Sequence, residues 1–190
     1  NWQSGHYGAL AALAREGVDV VLWCGDYIYE GAATDDAIRP QPGGEAFDLA
    51  GYRARYAQYR SDPALRDAHA AAPWIVTWDD HEVANNYAGS TPAVPDPNFL
   101  ARRQAAYQAW WEHLPVRFGP PAADGSLRVH RAVDWGRDVR FVVLDGRQHR
   151  SDQPCGDGAG DDCAARGDPA ATMLGDDQEA WLSEQFRRSA

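Results

Sequence analysis

The stretch VDVVLWCGDYIYE (residues 18–30) joins an apolar run directly to a polar segment. Residues 18–23 are almost uninterruptedly apolar, which is typical of a β-strand covered on both faces. The chain then presents one carboxylate at Asp26, two phenols, and a second carboxylate at Glu30. A second apolar run, PWIVTW (residues 73–78), is followed just as directly by the residues DDHE. Two predicted strands therefore end in side chains that can do chemistry.

The remaining sequence alternates helical patterns with apolar runs. Helices are predicted at residues 7–16, 51–60, 63–69, 99–114 and 175–188, and two further strands at 127–133 and 139–145. The alternation predicts an α/β layered fold, in which ligands gather at the carboxyl ends of strands. Asp26, Asp80 and Asp145 each lie at or just past such an end.

Composition favours one packed globular domain and argues against two classes of protein. The 190 residues are 44% hydrophobic and include eight Trp, which suits a sizeable core. The net charge of -10 disfavours a nucleic-acid binder, because such proteins need a positive surface. No apolar run approaches the roughly 20 residues that span a bilayer. The chain begins at Asn1 without Met, and we expect it to be an excerpt of a longer protein.

The three cysteines fall into two groups. Cys155 and Cys163 flank the loop GDGAGDD, where a short disulfide is geometrically easy and would imply an oxidising compartment. This loop fits a solvated, disulfide-closed segment better than a phosphate-binding or EF-hand loop. Cys24 is expected to be a buried small apolar residue.

The strand-end residues suit a metal site. Carboxylates, a phenol at Tyr29 and an imidazole at His81 are ligands for Ca²⁺, Fe³⁺, Mn²⁺ or Zn²⁺. Two metals about 3.5–4 Å apart would activate water and hold a phosphate oxygen, with histidine as the acid for the leaving group. Alternatively, strand-end aspartates cap helix N-termini. Motifs for a serine nucleophile, a Cys-x-x-Cys site and a Walker loop are absent from the sequence.

The motifs CGDYIYE and TWDDHEVANN together resemble the alkaline phosphatase D (PhoD-like) family of the calcineurin-like metallophosphoesterases. The stretches NWQSGHYGAL, FVVLDGRQHRSDQPCG and TMLGDDQEAWL extend the resemblance along nearly the whole chain. The resemblance implies a sandwich of two β-sheets flanked by helices, with residues 1–190 as the central part of a single domain that lacks its N-terminal and C-terminal portions. It also implies hydrolysis of phosphomonoesters and phosphodiesters, and a secreted or periplasmic location after twin-arginine export.

The same resemblance implies which residues bind metal. Asp26 would bridge two metals, Tyr29 would bind Fe³⁺ as a phenolate, and Asp80 would bind the second metal. Asn86, or else Asn85, would reach Ca²⁺. The family cysteine that ligates iron belongs upstream of Asn1, and further ligands in a Gly-Asp-x-His motif belong beyond residue 190.

Two residues are implied to be catalytic. His81 would stabilise or protonate the leaving oxygen. Arg147, in the family's Leu-Asp-x-Arg motif, is a candidate phosphate clamp, because a guanidinium fork fits phosphate oxygens. Because terminal ligands are missing, the excerpt alone is expected to be a poor enzyme.

Two alternative functions stay open at this stage. One is a phospholipase D-like phosphodiesterase that uses the same metals, and the other is a non-catalytic binding module that keeps the fold. For a phosphatase and for a phosphodiesterase alike, the expected partners are small phosphate esters. We expect no nucleic-acid-binding surface and no transmembrane segment.

Overall fold

The computed structural model describes residues 1–156 and 163–189. The helices are α1 (Gly8–Leu13), α2 (Leu49–Arg60), α3 (Pro63–Ala71), α4 (Phe99–His113) and α5 (Asp176–Ser189), with a short 3₁₀ helix at Ala164–Gly167. The strands are β1 (Val21–Cys24), β2 (Trp74–Thr77), β3 (Arg131–Trp135) and β4 (Val139–Val143). Every helix and strand predicted from the sequence is present, so the α/β class is confirmed.

The largest difference in bounds concerns β3, which was predicted to begin at residue 127. The backbone of Leu127 instead bonds to the Gln148 side chain, which accepts from its N–H at 3.0 Å and donates to its carbonyl at 2.9 Å. Because these backbone groups are already satisfied, Leu127 does not pair with a strand. The β3–β4 hairpin is accordingly shifted, and its turn lies between Trp135 and Val139.

The strands form two separate two-stranded sheets. β1 and β2 are parallel, with Val21 opposite Trp74 and Cys24 opposite Thr77, whereas β3 and β4 are antiparallel. The Thr77 hydroxyl donates to the Leu144 carbonyl at 2.7 Å and so links the two pairs. Because β1 and β2 point the same way, the segments that follow them leave the sheet side by side.

Strand β1 is less covered than its sequence predicted. The side chain of Leu22 is 51% exposed and Cys24 is also exposed, so burial on both faces and a buried Cys24 were both wrong. Among the described residues β1 pairs only with β2. Successive side chains of a strand point to opposite faces, and in β1 only the face that carries Val21 and Trp23 packs against the core.

The core between the helices and the β1–β2 pair is rich in aromatic residues. Tyr52, Tyr56 and Tyr59 lie at helical spacing and form one stripe of α2, and each is at most 1% exposed. The His69 ring stacks on Trp74 with 3.9 Å between ring centroids, so this histidine is a packing residue. The Tyr52 hydroxyl donates to the Val83 carbonyl, and the Tyr59 hydroxyl accepts from the Tyr29 N–H. The stripe therefore holds α2 against the polar segments that follow the strands.

The predicted disulfide is present, because Cys155 and Cys163 are bonded to each other. The loop residues 157–162, predicted to be solvated, lie outside the described residues. No helix in the described ranges combines the length and the apolar character needed to cross a membrane.

Candidate metal centre and active site

The segments after β1 and β2 touch at Gly25. A Cβ atom at this position would lie 2.5 Å from the Cβ of Asp79 and 2.6 Å from its backbone nitrogen. Gly25 also has φ 115°, which side chains rarely adopt. Only glycine therefore allows the two polar segments to come this close.

Both segments are also tied together by the Glu82 carboxylate, which is fully buried. One oxygen accepts from the backbone N–H of Asp26 at 3.1 Å and of Asp79 at 2.8 Å, and the other accepts from the N–H of Tyr27. Burial raises the pKa of Glu82 to about 8 and outweighs these three N–H groups, which act to lower it. Sequence reasoning gave this residue no role, although it belongs to the quoted DDHE motif.

Asp26, Asp80 and His81 converge on one point. Each offers one ligand atom, and these atoms all lie within 4.8 Å of one another. One carboxylate oxygen of Asp26, Oδ1, is buried and has no hydrogen-bond partner. Burial raises the pKa of Asp26, and the nearby carboxylates of Asp80 and Asp79 add to the effect. An orphaned oxygen beside a second carboxylate and an imidazole fits a bound cation.

His81 is oriented by Glu30, the second carboxylate of the opening motif. The Nδ1 atom of His81 lies 2.8 Å from Glu30 Oε2, so Nδ1 carries the proton that is donated to the carboxylate and Nε2 remains available. Glu30 is itself held by the backbone N–H of Asn85 at 2.6 Å. Burial lowers the pKa of His81, but the bond to Glu30 and the surrounding negative charges outweigh burial and raise it.

Tyr29 joins the cluster, whereas Tyr27 does not. The Tyr29 hydroxyl donates to Asp26 Oδ2 at 3.0 Å, and its ring packs on His81 with 4.2 Å between centroids. Burial and the Asp26 carboxylate raise the pKa of Tyr29, so it is a neutral phenol in this structure. The Tyr27 hydroxyl instead lies 2.8 Å from His69 Nε2 in the core. The chain bends at residues 27 and 28, so the two phenols do not point the same way, as they would along an extended strand.

Asn86 is anchored next to Asp80. Its backbone N–H donates to Asp80 Oδ2 at 2.6 Å, and its side chain is partly exposed. Asn85, the alternative ligand, has an exposed side chain. Of the two asparagines, Asn86 is therefore the one whose backbone bonds to a residue of the cluster.

The guanidinium of Arg147 is already engaged with acidic groups. It donates to Asp79 Oδ1 at 2.5 Å, to Asp80 Oδ1 at 3.1 Å and to the Tyr87 carbonyl at 3.3 Å. Burial lowers the pKa of Arg147, but the two carboxylates outweigh burial and raise it. Arg147 therefore lies beside the cluster and holds the Asp80 side chain in place.

Asp145 does not join the cluster, contrary to the expectation for three strand-end aspartates. It is fully buried and accepts from Trp78 Nε1 at 2.8 Å and from the backbone N–H groups of Arg147 and Gln148. Its second oxygen accepts from the Gln148 side chain at 3.0 Å. Asp145 is therefore a structural residue that fixes the turn that carries Arg147.

A cavity of about 360 Å³ adjoins the cluster and contains Asp26, Asn1, His6 and Tyr7 in its lining. A larger groove of about 990 Å³ lies between β2, β3 and α5, and its lining includes no residue of the cluster. Of these two spaces, the smaller cavity is therefore the one that shares a residue, Asp26, with the cluster.

The comparisons with known proteins agree on one family. The family model described as PhoD-like phosphatase matches residues 1–190. Alkaline phosphatase D of Bacillus subtilis (strain 168) is 42% identical to the chain over 188 residues, which cover 95% of this chain and 32% of that protein. A solved structure described as "Structure of PhoD" matches with a TM-score of 0.90 and 41% identity, over 99% of this chain and 37% of the solved one. The chain thus spans about a third of the length of the relatives it matches.

Proposed function

Because this chain belongs to the PhoD-like phosphatase family, we propose that it is the central part of a metal-dependent phosphoesterase domain that hydrolyses phosphomonoesters and phosphodiesters. The observation that carries the proposal is the cluster of Asp26, Asp80 and His81 around a buried carboxylate oxygen without a partner. We also propose that the domain is a sandwich of two sheets and that residues 1–190 are its central part, without its N-terminal and C-terminal portions.

The residues that would hold metal are Asp26, Tyr29, Asp80 and Asn86. The free oxygen of Asp26 supports a bridging role, and the Tyr29 hydroxyl is already 3.0 Å from the other oxygen of the same carboxylate. Fe³⁺ and Ca²⁺ are the ions we propose, and when bound they would lower the pKa of water and neutralise charge on the phosphate.

His81 would act on the leaving group. Its Nδ1 proton is held by Glu30, which fixes the ring and leaves Nε2 facing away from that carboxylate. A raised pKa keeps the imidazole protonated to a higher pH than usual, and a protonated Nε2 can donate to the oxygen of the departing alcohol.

Arg147 was predicted to be a phosphate clamp, and that role stays a prediction. Its donors are engaged with Asp79, Asp80 and a carbonyl, so a clamp would have to release one of them. These contacts favour a role for Arg147 in keeping Asp80 oriented for the metal.

An exported location is the remaining part of the proposal. The disulfide between Cys155 and Cys163 supports it, because such bonds persist in oxidising compartments. The phospholipase D-like and non-catalytic alternatives are not favoured, since the relative matched over most of this chain is an alkaline phosphatase.

The test is an assay of the full-length protein with p-nitrophenyl phosphate and bis-p-nitrophenyl phosphate. Chelation should abolish release of p-nitrophenol, and added Ca²⁺ and Fe³⁺ should restore it. Asp26→Asn should remain inactive after metal is restored, because it removes the proposed bridging carboxylate. Full activity of the chelated enzyme would refute the proposed metal dependence.

A further inference from the structure

Glu82 stands apart from the groups so far given a role, because its carboxylate contacts backbone and not the proposed ligands' side chains. It is fully buried and accepts three backbone N–H groups, from Asp26, Tyr27 and Asp79. Two of these donors lie 55 and 56 residues away along the chain, after β1, and the third lies three residues away, after β2. One carboxylate therefore joins the two segments that carry the cluster.

The donors after β1 form a concave anion site made of backbone. Asp26 has φ 54°, in the left-handed region that a non-glycine residue seldom adopts. In this conformation the successive N–H groups of Asp26 and Tyr27 point to the same side, where they can bind an anion. Here the two oxygens of the Glu82 carboxyl group accept these N–H groups, which stabilises the left-handed conformation of Asp26.

That conformation decides where the Asp26 side chain points. The N–H of Asp26 faces Glu82, while its carboxylate faces Tyr29 and the ligand atoms of Asp80 and His81. At Gly25 the two segments have no spare room, since an added Cβ would lie 2.5 Å from Asp79. Loss of the Glu82 carboxylate would therefore let the segments separate and let Asp26 relax toward ordinary φ values.

We propose that Glu82 is a positioning residue that sets the distance and direction between Asp26 and Asp80 and so pre-forms the metal centre. The inference rests on the proposed function, because it takes Asp26 and Asp80 as ligands of the proposed metal. Removing groups that orient metal ligands typically costs about 10- to 100-fold in metal affinity.

The experiment measures Ca²⁺ binding by calorimetry in the chelator-stripped full-length protein and in two variants. Glu82→Ala should weaken Ca²⁺ binding by about 10- to 100-fold. Glu82→Gln keeps the shape of the side chain but turns an amide N–H₂ toward a backbone donor, so it should weaken binding at least several-fold. If Glu82→Ala does not fold, Glu82→Gln alone decides the question.

Tyr52→Phe is the matched control. The Tyr52 hydroxyl donates to the carbonyl of Val83, the residue after Glu82, but it bonds neither to the Glu82 carboxyl group nor to the three N–H groups that Glu82 accepts. This variant should lower the melting temperature but leave Ca²⁺ affinity within about twofold. If Glu82 were merely structural, the Glu82 variants would show the same pattern as this control. If both Glu82 variants bound Ca²⁺ as tightly as the wild type, the inference about Glu82 would fall and the proposed function would stand. If the wild-type protein bound no Ca²⁺, both would fall.

Discussion

At the residue scale, His81 and Asp80 are neighbours in the chain with different contacts. His81 is hydrogen-bonded to Glu30, whereas Asp80 is held by Arg147 and by the N–H of Asn86. The His81 ring thus has a group that orients it as a proton donor, and the Asp80 carboxylate has groups that aim it into the cluster.

This difference predicts separate effects in the full-length enzyme. His81→Ala should lower turnover by about 10²–10⁴-fold and largely retain metal, because proton transfer contributes an effect of that size. Asp80→Ala should lose metal and activity together. The measurements are kcat and metal content by elemental analysis, and equal loss of metal in both variants would make His81 a ligand.

Tyr29 predicts the colour of the metal-loaded protein. If Tyr29 binds Fe³⁺ as a phenolate, the full-length protein should absorb visible light and appear violet, since a trivalent ion would hold the phenol deprotonated. Tyr29→Phe keeps the ring and should remove the colour without unfolding. Tyr27→Phe is the control, because its hydroxyl contacts His69 in the core, and it should keep the colour. Bleaching by Tyr27→Phe alone would contradict the assignment.

At the element scale, α3 is held against β2 by a partly buried histidine. His69 stacks on Trp74 and lies in hydrogen-bond contact with Tyr27. Burial, with a smaller effect from Arg60, lowers the pKa of His69 to about 4. The folded protein therefore resists protonation of a ring that the unfolded chain protonates near pH 6.5.

The sign of the resulting pH dependence follows from proton counts. Between pH 6.5 and about 4 the unfolded chain binds a proton at His69 that the folded protein does not, so stability falls as pH falls through this window. His69→Phe should flatten the curve of unfolding free energy against pH in this window. The difference should be on the order of 1–2 kcal/mol, since the ring is partly solvated. His6→Gln, at an exposed site, serves as the control, and an unchanged slope in His69→Phe would contradict the explanation.

At the scale of the whole molecule, the proposed metal links two segments that lie far apart in the chain. Asp26 follows β1, Asp80 and His81 follow β2, and two helices lie between these strands. An ion held by both segments binds the folded state and not the unfolded chain.

Metal removal should therefore lower stability as well as activity. At a free metal concentration 100 times Kd the expected stabilisation is about 2.7 kcal/mol, which calorimetry would register as a higher melting temperature. EDTA should abolish the increase in the full-length wild type. The double variant Asp26→Asn, Asp80→Asn should melt at the same temperature with and without EDTA, and a chelator-independent wild type would argue against a shared ion.

Local sequence patterns determined much of this protein. The spacing of Tyr52, Tyr56 and Tyr59 predicted the buried face of α2, because helical periodicity places them on one stripe. The apolar runs before Asp26 and Asp80 predicted two strands with polar residues at their ends, and both strands are present. The residue types at those ends predicted metal chemistry, and the two cysteines predicted their own bond.

Only the tertiary structure decided which of these polar groups meet. Asp145 has the same strand-end position as Asp26 in the sequence, yet its oxygens are taken up by Trp78 and Gln148. Glu30 and Glu82 gained roles through contacts made with residues 51 and 56 positions away. Strand β1 left Leu22 exposed because coverage depends on what packs against a face and not on the strand itself. Local periodicity reports how a segment folds, whereas partners so distant in the chain are chosen by packing and by the need to satisfy every buried polar group.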